Sequence, residues 1–65
     1  MTDCTDYVLA VLEAHPTTVI LRLSARAYAS CDLSRIPAGI TTLETAEDYC
    51  EATESDGTLL VRFRV

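Results

Sequence analysis

TTLETAEDYCEATESDGT, residues 41–58, is the stretch on which the fold turns. Thr41 followed three residues later by Glu44 has the form of a capping box, in which the threonine hydroxyl and the glutamate side chain each satisfy a backbone amide at a helix start. Gly57 stands where a left-handed residue commonly ends a helix. Together these signals predict a helix over about Thr42 to Glu54. At about 100° per residue, Glu44, Glu47, Asp48, Glu51 and Glu54 fall within a sector of about 120°. Leu43, Ala46, Tyr49, Cys50 and Thr53 take the opposite sector, so the expected helix is amphipathic with an outward anionic stripe.

Working outward, residues 3–14 also carry a helical period. Cys4, Tyr7, Val8, Val11, Leu12 and His15 share one face, Asp3 or Thr5 can cap the start, and Pro16 ends the element. Thr18 to Leu23 alternates as a half-buried strand does, with Val19, Leu21 and Leu23 on one side. The alternation continues through Ala25, Ala27, Ala29 and Cys31. Either a second strand segment follows, or the alanines form a short helix, since alanine ranks highest in helix propensity and low in strands; the strand reading is adopted here. Asp32 to Ile40, with Pro37 and Gly39, reads as a connection with room for one helical turn at its start. Thr58 to Val65 alternates again, Leu59, Val61, Phe63 and Val65 against Leu60, Arg62 and Arg64. The expected architecture is a single α+β domain over residues 1–65, a small antiparallel or mixed sheet with two amphipathic helices on one face.

Six acids and no base lie between Glu44 and Asp56 in a chain of formal net charge −5, so the remainder is −5 + 6 = +1. The acidity therefore belongs to one place. On a helix, the like-charge neighbours 44/47, 44/48, 47/51, 48/51 and 51/54 would together cost about 1 to 2.5 kcal/mol. Folding alone does not favour such an arrangement, which points to a binding role. The candidate partner-binding residues are Glu44, Glu47, Asp48, Glu51, Glu54 and Asp56; the first five are spaced along the expected helix at about 3 to 4 Å per charge, close to the phosphate spacing of one DNA strand. A partner with a basic nucleic-acid-binding surface would meet a similar charge density here.

In size, acidity and its acid-faced segment ETAEDYCEATESD, the chain resembles the small acidic phage-encoded anti-CRISPR proteins, including those acting on type I-C systems. The resemblance implies a mode of action, stoichiometric occlusion of the DNA-binding surface of a CRISPR effector complex by charge mimicry, and assigns no individual residue. The alternative is a non-inhibitory interaction module or homodimeric assembly subunit. Its contact would be an Arg-bearing sheet face with Arg22, Arg62, Arg64, Ile20 and Leu60, while the acids are only solvated. Acidity without lysine would also suit a protein of concentrated brine, a reading that expects acids spread around the surface.

Other function classes find little support. The longest apolar run, Tyr7 to Leu12, is far short of the roughly 20 residues a membrane span needs, and MTDCTD lacks the positive charge that begins a secretory signal. A cytoplasmic protein of a prokaryotic host is expected. Cys4, Cys31 and Cys50 are odd in number and are expected to be reduced. With His15 they supply zinc-type ligands, but no two lie two to four residues apart, so no metal or other cofactor is expected. His15 is the only imidazole and no phosphate-cradling glycine loop exists, so no catalytic residues are assigned and an enzyme is not expected.

Overall fold

The computed structural model describes residues 4–65. In chain order the elements are helix α1 (Thr5–Ala14), strand β1 (Ile20–Ser24), helix α2 (Ala25–Ser30), a 3-10 turn (Leu33–Arg35) and strands β2 (Thr41–Thr45), β3 (Cys50–Thr53) and β4 (Leu59–Phe63). The strands form one mixed sheet in the order β2-β1-β3-β4. β1 and β2 are parallel, whereas β1/β3 and β3/β4 are antiparallel. The fold is thus a small α+β domain, as expected, but its second helix is a different segment.

The acidic helix expected over Thr42 to Glu54 does not form. Cys50 and Ala52 are both completely buried. Two residues apart, they can share one face of a strand but fall far apart around a helix, where Ala52 would sit beside the acids. The strands also separate the carboxylates, removing the like-charge neighbours of the helical arrangement. Thr41 and Glu44 lie within β2, so the capping-box pattern is a coincidence of spacing. Gly57 does adopt positive φ, at 87°, but in the hairpin between β3 and β4. There its N–H donates to the Glu54 carbonyl at 3.0 Å, and the Glu54 N–H donates to the Thr58 carbonyl at 2.9 Å.

Residues 25–30 take the helical alternative to the strand adopted from sequence. The Ser24 hydroxyl accepts a hydrogen bond from the Ala27 N–H at 3.3 Å, capping α2. Turning out of the sheet there also gives the parallel β1/β2 pair the long crossover it requires, residues 25–40, which begins with α2 and continues through the 3-10 turn. Residues 46–49 then carry the chain past the end of β1, from its neighbour β2 to its other neighbour β3.

One core cluster unites Cys4, Val8 and Leu12 of α1, Leu21 and Leu23 of β1, Ala27 of α2, Cys31, Ile36, Cys50 and Phe63. Both helices therefore cover the same sheet face. The proposed cap Asp3 lies outside the described residues. Thr5 is the first helical residue and Cys4 takes the N-cap position; Thr5 is fully buried, and its hydroxyl accepts the Asp32 N–H at 2.9 Å. Tyr7, expected on the buried face, is 52% exposed and touches Phe63 with ring centroids 6.0 Å apart. α1 ends at His15, whose N–H reaches the Val11 and Leu12 carbonyls. Among the described residues no helix is long and apolar enough to cross a membrane.

Candidate interaction surface

With both helices on one side, alternation along each strand decides what the other side presents. Leu21 and Leu23 point into the core, so Ile20 and Arg22 point away from it. Register then carries the assignment across the sheet: Arg22 is opposite Leu43 on β2 and Glu51 on β3, and Glu51 is opposite Arg62 on β4. A shallow depression of about 270 Å³ on this face is lined by Ile20, Arg22, Glu51, Thr53, Leu59 and Arg62, with Gly57 at its edge.

The centre of the face is electrostatically organised. Arg62 Nε lies 3.2 Å from Glu51 Oε1, and the Glu51 side chain is only 17% exposed. The Arg62 guanidinium also sits 5.0 Å from the centroid of the Tyr49 ring, within cation–π range. Two salient apolar side chains flank this group, Leu43 at 43% exposure and Leu59 at 44%. Leu60, expected among the arginines, is the extra residue of a bulge, because β3 and β4 pair Ala52 with Val61 but Thr53 with Leu59. Arg64 lies beyond β4 and reaches Asp48 at 3.7 Å.

The six candidate carboxylates do not form one line. Glu44 is exposed on the edge strand β2, and Glu47 and Asp48 lie in the loop that rounds the end of β1. Glu51 occupies the middle of the open face in its ion pair with Arg62. Glu54 and Asp56 belong to the β3–β4 hairpin at the opposite end of the sheet, since Thr53 pairs with Ile20, where β1 begins. Two of the six are thus held by the chain's own guanidinium groups, and the others stand at two ends of the sheet. The Asp56 carboxyl is held below its ordinary value of 3.8 by hydrogen bonds from the Thr58 hydroxyl and amide; that amide donates at 2.9 Å. The Ser34 hydroxyl, at 2.6 Å, and its amide lower Asp32 in the same way.

Sequence reading placed Arg22 and Arg62 correctly on the face away from the core. It missed Leu43 and Tyr49 there, because both were assigned to the buried side of a helix. The signal available for Leu43 was its place between the β-branched residues Thr41, Thr42 and Thr45, a composition that favours a strand.

A second concavity, about 490 Å³, lies where α1 ends against residues 37–40. Its walls are Leu9, Leu12, Pro16, Val19, Pro37 and Ile40, with Glu13, His15 and Thr18 also lining it. The Thr18 hydroxyl is already donated to the His15 carbonyl at 2.7 Å. Cys4, Cys31 and Cys50 are buried free thiols. Cys4 Sγ lies 3.5 Å from the Ala27 carbonyl, and Cys50 Sγ accepts the Ser24 N–H at 3.5 Å. Among the described residues no group of three or more His, Cys, Asp and Glu side chains is placed to hold a metal ion. No protein-family model, curated protein or solved structure matches the chain.

Proposed function

We propose that this protein is a non-catalytic binding module that docks its uncovered sheet face on a protein partner, one bearing basic groups around an apolar contact. The observation that carries the reading is the pairing of exposed Leu43 and Leu59 with the Arg22, Glu51 and Arg62 group on the sheet face that no helix covers. Arginine and aromatic side chains are enriched at protein interfaces, and here Arg62, stacked on Tyr49, shares the open face with the two exposed leucines. The ends of the face are anionic, with Glu47 and Asp48 at one end and Glu54 and Asp56 at the other, while Glu44 lies on the helix side of β2. Such anionic ends steer encounter with a basic surface, while the face determines which partner is held.

Where that basic surface normally holds nucleic acid, docking would occlude it, the mode of action implied by the resemblance to anti-CRISPR proteins. The prokaryotic cytoplasm is where such a partner would be met. In this form of the proposal the mimicry is of a charged footprint, because a linear row of phosphate-like charges is absent from the fold.

The test is capture of prokaryotic proteins on immobilised wild type, Leu59→Asp and Glu47→Lys/Glu54→Lys, with helix and sheet content checked by circular dichroism. Leu59→Asp is expected to abolish capture. The double charge reversal should weaken it and flatten its dependence on salt. A parallel assay measures duplex DNA held by a purified type I-C effector complex, which wild type should lower and Leu59→Asp should not. Binding that survives all three substitutions would refute the proposal.

A further inference from the structure

The two edges of the sheet are not alike. β4 carries a bulge and Arg62, with Arg64 just beyond its end, devices that discourage further strand pairing. β2 has no proline, no bulge and one charge, Glu44, and Thr41, Leu43 and Glu44 are exposed. The Thr41 N–H donates to the Val19 carbonyl at 2.8 Å. In a parallel ladder the inward-directed residues alternate, so Thr41, Leu43 and Thr45 bond to β1, and the N–H and C=O groups of Thr42 and Glu44 point out from the sheet.

From this geometry we infer that β2 pairs antiparallel with the β2 of a second copy of this chain, about a two-fold axis at Leu43, joining two sheets into one of eight strands. In that register Thr42 of each copy faces Glu44 of the other, and both are outward-directed residues, so each pair exchanges two backbone hydrogen bonds. Shifting the axis to Thr42 leaves only that residue paired in this way. Shifting it to Glu44 sets the two carboxylates directly opposite one another, an unfavourable arrangement. The Leu43 axis avoids both faults. It also makes Leu43 and its symmetry mate a non-hydrogen-bonded pair, with Cα atoms about 4.5 Å apart and side chains in close contact on the open face.

The pairing extends the proposed docking face and stands independently of which partner that face holds. A four-stranded sheet with strands of four or five residues offers a flat footprint of only about 300 Å². A standard interface buries about 800 Å² on each partner, so a doubled face is better matched to one.

The direct test is the mass in solution by sedimentation equilibrium, expected to approach twice the 7.1 kDa of one chain as concentration rises. Thr42→Pro removes an outward N–H without touching the ladder to β1, and is expected to give a monomer with unchanged circular dichroism. Leu43→Cys should form an intermolecular disulfide under mild oxidation, because its Cα separation falls within the range of about 4.4 to 6.8 Å that the bond accepts. Thr45→Cys should not, since Thr45 faces Thr41 of the other copy. A wild-type mass that stays at one chain at every concentration overturns the inference, as does cross-linking of Thr45→Cys as readily as Leu43→Cys.

Discussion

Gly57 has a φ of 87°, and a Cβ built there meets nothing within 4 Å. The constraint is therefore backbone conformation, not space. A left-handed conformation costs an L-residue roughly 1–2 kcal/mol, so Gly57→Ala should destabilise the protein by about that amount in urea titration. Gly39 is the matched control, because its surroundings are equally open and its φ lies outside the left-handed region. Gly39→Ala should change stability by less than about 0.5 kcal/mol. The left-handed conformation at Gly57 was legible from sequence, but its setting was not. A glycine after an acidic polar run suits a helix end and a three-residue hairpin equally, and local chemistry does not distinguish them. Thr41 and Glu44 carry the same lesson. A capping box needs only two residues three apart, and a threonine-rich edge strand can supply that spacing by chance.

At the scale of elements, β1 passes into α2 at Ser24 without an intervening loop. Ser24 ends the strand and caps the helix, and its hydroxyl accepts the Ala27 N–H. Ser24→Ala should cost about 1 kcal/mol by loss of the cap, read from the urea midpoint at unchanged slope. The residue is buried, so Ser24→Thr, which keeps the hydroxyl, should recover part of the loss. This boundary was visible in the sequence as two open alternatives. Strict alternation of small residues fits a strand, while alanine content fits a helix. What separates them is that β1 and β2 run parallel and need a crossover, a fact about two strands that neither one contains. The strands at Thr18 to Leu23 and Thr58 to Val65 were legible because one face is buried and each burial pattern is written locally, but the bulge turns Leu59 onto the open face and Val65 lies exposed beyond β4. β3 was hidden because its buried side chains, Cys50 and Ala52, are small. Its acids gave the louder signal.

For the whole molecule, formal net charge is −5, and among the described residues three arginines sit in ion pairs, Arg35 with Asp6, Arg62 with Glu51 and Arg64 with Asp48. The first and third pairs are well exposed and contribute little. Repulsion among the remaining acids is then the larger electrostatic effect on stability, and it is screened as the Debye length falls from about 10 Å at 0.1 M salt to about 3 Å at 1 M. Thermal unfolding in potassium chloride should therefore show Tm rising over that range, by about 4–8 °C for each kcal/mol of repulsion removed. A falling Tm would show that the ion pairs outweigh the repulsion. The distribution of acids over both ends of the sheet and its open face is also what the brine reading anticipated, and this titration examines that reading directly.

By itself the sequence determined the small α+β fold class, the buried apolar faces of the first helix, of β1 and of most of β4, and the concentration of acidity after residue 43. Each of these is a property of composition or of period, both of which are local. Only tertiary structure decided that the acidic segment is two strands rather than a helix, that Glu51 is bound to Arg62, and that Leu43 stands at an open edge. Those outcomes depend on which segment lies beside β1. The difference between burying Cys50 and Ala52 together under α1 and α2 and stacking five carboxylates on one helical face is set by neighbours distant in sequence.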